Sequence, residues 1–176
     1  MIRPMERKDL EWVARERNRP KCRQWFRQPK ELTIEDQERW WNEKVKTGEF
    51  RPFIILDEDG DRIGMTMLSH IDPIARKCEF GIMVVQEARN HGYGKKALWE
   101  TLAHAFDDLN MYQVYSDVFA ANPSLDTYLR WGFKEYGKLP DWYWKNGQYI
   151  DSIIISITKD EFNATRQTNN DDTGTP

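Results

Sequence analysis

The stretch Arg89-Asn90-His91-Gly92-Tyr93-Gly94 sits between an apolar run, Cys78 to Val85, that reads as a strand, and a segment of helical period that opens at Gly94. A Gly-x-Gly turn so placed presents successive backbone N–H groups, unobstructed by side chains, at a helix N-terminus, where the dipole favours an anion. Such a nest suits a pyrophosphate. Lys95 and Lys96 at the helix start oppose the dipole, a local cost that is offset if an anion sits nearby. Taken alone, the turn is equally a tight strand-to-helix connection that holds nothing. A P-loop would need G-x-x-x-x-G-K-[ST], which Gly92-Tyr93-Gly94-Lys95-Lys96 does not supply. Gly92-Tyr93-Gly94-Lys95-Lys96-Ala97 does satisfy the looser dinucleotide pattern G-x-G-x-x-A, which leaves an NAD-binding oxidoreductase as a competitor.

Positioning such a turn takes a strand before it and a helix after it. Ala97, Leu98, Leu102, Ala105 and Phe106 keep a helical period, with Lys95, Lys96, Glu100 and Asp107 on the other side. Val114 to Phe119 then alternates as a strand, so the order strand, turn, helix, strand implies a parallel pair joined by a right-handed crossover. Upstream, residues 8–18 read as a short helix, and Thr33 with Asp36 as a capping box opening a helix that carries Trp40, Trp41 and Val45 and stops at Gly48. Phe53 to Leu56 and Ile63 to Leu68 form a hairpin about Asp59-Gly60. Downstream come a short helix from Leu125 to Arg130, ending at Gly132, and a long hairpin, Phe133 to Trp144 and Tyr149 to Thr158, about Asn146-Gly147. One crossover between two hairpins leaves too little parallel sheet for a nicotinamide-binding domain.

A chain of 176 residues with 39% hydrophobic content can bury one core and not two, so residues 1–162 read as a single domain and the polar stretch 163–176 as a disordered tail. No apolar run reaches signal-peptide or membrane-span length, which points to a cytoplasmic protein. Cys22 and Cys78 lack any C-x-x-C spacing and read as reduced thiols. His70, His91 and His104 are scattered, and no metal is expected. The net charge of -3 argues against general nucleic-acid binding. It conceals a basic block, Arg15, Arg17, Arg19, Lys21, Arg23, Arg27 and Lys30, which is either a solvated surface or a wall for an anionic substrate. The aromatic run Trp142-Tyr143-Trp144 is either core, a homodimer contact or a stacking wall for the acceptor.

As a set, Arg89-x-x-Gly92-x-Gly94 after a strand, Asn122 at the end of the next strand and Tyr128-Leu129-Arg130-Trp131-Gly132-Phe133 beyond it resemble the GNAT family of N-acetyltransferases, from Ile2 to about Phe162. Asn146 to Asp151 is similar to the ribosomal-protein N-terminal and polyamine branch, and Arg23 to Phe26 with Thr33 to Trp41 to members acting on amino sugars carried on nucleotides. The resemblance implies an α/β, mixed α+β, acyl-CoA N-acyltransferase fold: a central, splayed, mostly antiparallel sheet flanked by helices. It implies that Arg89, Asn90, His91, Gly92, Tyr93, Gly94 and Lys95 hold the pyrophosphate of acetyl-CoA. Main-chain groups of Ile82, Met83 and Val84 would pair with the pantetheine, and Asn122 would bond the cofactor or serve only as a turn residue before Pro123. Gly81 is the place for a bulge that parts the two parallel strands, or else a close-packing glycine.

A free alkylamine, with a pKa of roughly 10.4, is mostly protonated near neutrality, so acetyl transfer needs a group that takes the proton. The resemblance assigns this to Glu79, directly or through water; otherwise Glu79 is a solvent-facing strand residue in a salt bridge. Tyr128 matches the family's general-acid tyrosine, which protonates the leaving thiolate, and is otherwise a half-buried helix aromatic. The expected activity is transfer of acetyl from acetyl-CoA to a primary amine of an amino sugar on a nucleotide, a polyamine, an antibiotic or a protein N-terminus. A catalytically silent acyl-CoA-binding module acting through a partner is the alternative, against which Glu79 and Tyr128 stand.

Overall fold

Segments rich in β-branched and aromatic residues extend, and Gly, Asn and Asp mark where they turn. The computed structural model describes residues 1–28 and 30–171. In chain order it contains β1 (Ile2–Pro4), α1 (Leu10–Asn18), α2 (Pro20–Arg23), α3 (Ile34–Trp40), β2 (Arg51–Leu56), β3 (Arg62–Asp72) and β4 (Lys77–Val84). There follow α4 (Tyr93–Ala103), β5 (Gln113–Phe119), α5 (Ser124–Arg130), β6 (Lys134–Lys145), β7 (Gln148–Thr158) and α6 (Lys159–Asp171). All strands join one sheet in the order β1-β2-β3-β4-β5-β7-β6, and within it only β4 and β5 run parallel. Both expected hairpins are present, the second closed by Asn146 and Gly147 at φ 52° and 80°, the left-handed pair that a two-residue turn requires. The capping box of Thr33 and Asp36 is also formed.

The pairing of β4 with β5 lasts only from Lys77↔Gln113 to Glu79↔Tyr115, although β4 runs on to Val84 and β5 to Phe119. Each strand has a full-length partner on its other side. β3 holds β4 from Gly64↔Val84 to Ser69↔Glu79, and β7 holds β5 from Gln113↔Thr158 to Phe119↔Ser152. Two separately braced half-sheets therefore diverge beyond Glu79, giving the expected splay.

Gly81 does not make the bulge. The register of β3 on β4 is unbroken through Met67↔Gly81, and the irregularity lies between Ser69 and Asp72 instead. A Cβ at Gly81 would stand 3.3 Å from Met67 Cε, so glycine serves close packing there. The displaced bulge contains His70 at φ 49° and aims its imidazole at Glu79, as bulges beside active sites commonly re-aim a side chain.

On one face of the sheet, Leu98, Leu102, Ala105 and Phe106 of the helical segment pack with Phe80, Val114, Val118, Ile155 and Ile157. The tail needs correction: α6 carries helix through Asp171, past the boundary expected at residue 162, and residues 172–176 lie outside the described residues. Phe162 explains it, for it is 1% exposed, stacks on Trp99 at 4.7 Å and meets Phe106 at 5.2 Å, so the helix start is driven into the core.

Candidate active site

Where the half-sheets part they leave a cleft of about 450 Å³. Its lining includes Ile82, Met83 and Val84 of β4, whose edge toward β5 has no strand partner. Arg89, Asn90, Gly92, Gly94 and Lys95 line it at the loop, and Asn122, Ser124, Thr127, Tyr128 and Trp131 on the side of β5 and α5. The arm after α2 adds Trp25 and Phe26. Of the residues expected to hold a cofactor, His91 and Tyr93 stand in the turn without lining the cleft; their rings lie 6.3 Å apart.

The loop is set for an anion by its backbone. Asn90 and Gly92 adopt φ 66° and 82°, conformations that Asn tolerates and Gly adopts freely. Nothing lies within 4 Å of where a Cβ of Gly92 would stand, so the backbone conformation, not packing, calls for glycine. Gly92 caps α4 without a side-chain hydrogen bond, and the first amide to reach back is that of Lys96, to Gly92 O. The first turn of α4 carries no acidic residue. An uncapped, lysine-flanked helix start beside an unpaired strand edge fits a pyrophosphate and its pantetheine chain. Arg89 steadies the loop by donating from Nε to Val84 O at 3.1 Å. Asn122 accepts from Ser124 N at 3.0 Å, so it is a turn residue and a cleft residue together.

A second group of side chains gathers at the fork. Glu79, 8% exposed, belongs to the last parallel pair. Its Oε1 accepts from Arg27 Nη2 at 2.6 Å and its Oε2 lies 3.0 Å from His70 Nδ1. The solvent-facing alternative for Glu79 is thus set aside, while its salt bridge is real. Asp117, on β5, accepts from Tyr143 Oη at 2.7 Å through Oδ2. Burial alone would lower the pKa of Arg27, but Glu79 and Asp117 outweigh it and hold the guanidinium above its ordinary range. Burial, then the bond to Asp117, pushes Tyr143 up to about 12. Burial and the neighbouring Glu79 also raise Tyr115.

Tyr128 stands across the cleft from β4 with its ring edge-on to Phe80 at 5.4 Å. Burial pushes its hydroxyl up to about 12, with a hydrogen bond to Ser124 acting the other way. A phenol so disposed keeps its proton at neutral pH and can act only as an acid there.

The basic block is mostly neutralised by its own surroundings. Arg19 meets Glu16 and Glu87 at 2.9 Å, Arg23 meets Glu31 at 2.8 Å, and Lys30 meets Asp36 at 3.1 Å. The exposed pairs form the solvated surface, while Arg27 alone of these reaches the fork. Lys145 binds the arm to the terminal hairpin by donating to Arg23 O at 2.9 Å and to Phe26 O, and burial lowers its pKa. Asp117 and His70 gave no advance signal in the sequence, and Tyr143 only as part of an aromatic run with several readings, because nothing local to each shows that three strands carry them to one point. Of the triplet Trp142-Tyr143-Trp144, Tyr143 faces the fork and the two tryptophans are exposed. Among the described residues no three His, Cys, Asp or Glu side chains gather as a metal set.

A strand edge left open beside an uncapped helix start, with a protonated phenol opposite, is the arrangement an acyl-coenzyme A thioester needs, and it defines an acyl-CoA-dependent transferase. Residues 1–134 match the Acetyltransferase (GNAT) domain family, and the chain belongs to it as an acetyl-CoA-dependent N-acetyltransferase. It is similar to the spermidine N(1)-acetyltransferases of Vibrio cholerae, 30% identical over 92% of this chain and 94% of that one, and of Escherichia coli strain K12, 28% identical over 95% and 90%. The structure of the V. cholerae spermidine N-acetyltransferase in complex with CoA and spermine superposes with a TM-score of 0.86, at 25% identity over 92% of this chain and 96% of that one.

Proposed function

We propose that this enzyme acetylates a primary amine of an aliphatic polyamine in the cytoplasm, with spermidine and spermine as its first candidates. One observation carries the reading beyond the relatives: two carboxylates, Glu79 and Asp117, lie nearly buried at the fork where β4 and β5 part, with their oxygens directed at a cation. An anionic carrier finds no comparable support, since the arginines expected to receive it are paired.

Acetyl-CoA supplies an acetyl thioester, whose carbonyl carbon becomes bonded to the amine nitrogen as its C–S bond breaks. The chain's own groups do the rest. Gly92, Gly94, Lys95 and Arg89 hold the pyrophosphate, and Ile82, Met83 and Val84 align the pantetheine by main-chain bonds, which places both reactants together. Glu79 takes the proton from the arriving ammonium, directly or through water. His70, on its other oxygen and 57% exposed, offers that proton a way to solvent. Amides of β4 polarise the thioester carbonyl. Tyr128 gives its proton to the departing sulfur and is reprotonated by the second proton that the nitrogen sheds as the amide forms, so the products are the acetylamide, the CoA thiol and one proton released to solvent. Asn122 adds a polar contact beside α5.

Incubation with acetyl-CoA and spermidine should give a product one acetyl group heavier by mass spectrometry, with stoichiometric release of CoA thiol. CoA binding without transfer to spermidine, spermine or any amine of a wider panel would sink the catalytic reading in favour of a silent binding module. Acetylation confined to amino sugars or peptide N-termini would sink the polyamine one. A homodimer contact is proposed at Trp142, Trp144 and Tyr149, exposed by 55%, 64% and 63% on the outer hairpin, and a monomeric mass in sedimentation equilibrium would refute it.

A further inference from the structure

Arg27 makes an unusual pairing for an arginine. Its Nη2 lies 2.6 Å from Glu79 Oε1, 3.0 Å from Asp117 O and 3.7 Å from Asp117 Oδ2. Three oxygens thus converge on one nitrogen, and among the described residues neither Nε nor Nη1 has an acceptor. Guanidinium groups are ordinarily recognised as a fork, two nitrogens against two oxygens. A single guanidinium nitrogen carries two protons; an alkylammonium carries three on one nitrogen and would serve all three oxygens. Asp117 Oδ1 has no partner and no contact with solvent, so the group has more acceptor capacity than Arg27 uses.

The two carboxylates stand on paired strands, while the arginine stands on a connection between helices. Glu79 and Asp117 side chains are 11% and 10% exposed and stand on paired strands. Arg27 is 39% exposed and rides on the connection between α2 and α3, where its remaining contact is the face of Tyr143, 5.4 Å away. Its departure would leave the core untouched.

We infer that Arg27 is a resident counter-ion occupying the ammonium seat of the acceptor, and that the acceptor enters by displacing it, so Arg27 sets which amines bind and how tightly. The inference rests on the acceptor reading of this site. It predicts selection for amines whose charge is concentrated on an –NH3⁺, since these gain three bonds where Arg27 makes two short ones.

The test compares initial rates with spermidine at saturating acetyl-CoA in wild type, R27Q and R27K. If the seat stands open in about a tenth of the molecules, removing Arg27 lowers the KM for spermidine about tenfold, and R27K, which returns a cation with three donors, brings it back to the wild-type value or above. A KM unchanged or raised in R27Q overturns the inference. Hydrogen exchange of the amides of residues 24–28, measured in wild type with CoA present, needs no turnover. Spermidine or n-butylamine should quicken it, and so should D117N without amine; no response to either overturns the inference. Should the wild type fail to acetylate spermidine while n-butylamine still frees the arm, the polyamine reading falls and the displacement of Arg27 stands.

Discussion

Along one wall of the cleft, residues drawn from the stretch Ile82 to Lys95 offer mostly main-chain groups, shaped by left-handed backbone at Asn90 and Gly92. At the fork beside it, Arg27, His70, Glu79, Asp117 and Tyr143 come from five separate segments and make a second face through side-chain contacts. In the proposed reading the first wall holds coenzyme A, the ligand part that never changes, and its geometry is set by local conformation. The second is the proposed place of the variable reactant, and its geometry exists only once the strands that carry it are assembled. A site divided this way can alter its acceptor by exchanging side chains without touching how it holds coenzyme A.

Separability of the walls can be broken or sharpened by substitution. The largest expected effect is that of Glu79→Gln, a loss of about 10²–10⁴-fold in kcat/KM for the amine, with CoA affinity by calorimetry unchanged. If CoA affinity fell alongside, the walls would not be independent. Next, Tyr128→Phe should lower kcat about a hundredfold with both ligands still bound. In the wild type Tyr128, with its pKa raised to about 12, stays protonated as pH rises past the ordinary tyrosine range. Its proton is lost only near that value, so a kcat–pH profile should show no falling limb from this group below about pH 11. A limb near pH 10 would contradict the buried phenol. Gly92→Val forces a branched side chain onto left-handed backbone, at a cost of about 1–2 kcal/mol, and should weaken CoA about tenfold while leaving the KM for the amine alone. The smallest effect belongs to Arg23→Ala: its pair with Glu31 is exposed, so melting should report under about 1 kcal/mol and acceptor kinetics should not move.

What could be read in advance follows the same division. The glycine turn, the crossover and both hairpins rest on periodicity and turn chemistry within a few residues, and they stand as expected. Nine of the eleven residues assigned to the cofactor line the cleft; His91 and Tyr93 do not, because a turn held by its backbone leaves some side chains pointing elsewhere. The bulge was misplaced because a strand glycine signals close packing as readily as irregularity, and Met67, its neighbour across the sheet, cannot be found from the local sequence. Helix α6 was missed because Asn163 onward is polar, while the contact that anchors it is Phe162 against Trp99. Glu79 could be singled out by resemblance, yet its partners His70 and Arg27 meet it through a bulge and an arm, neither of which has a period to detect.

The last strand of the chain does not lie at the rim: β7 slots between β5 and β6. During synthesis β5 therefore waits with only three rungs to β4, and β6 with no neighbour, until residues 148–158 leave the ribosome. The tie from Lys145 to Arg23 O spans 122 positions and forms later still in practice, since its hairpin must close first. The strand made last thus completes the middle of the sheet, where Ile153, Ile155 and Ile157 meet Leu98, Leu102 and Phe106, and a chain interrupted at the final turn would leave the helix behind the glycine loop without that support.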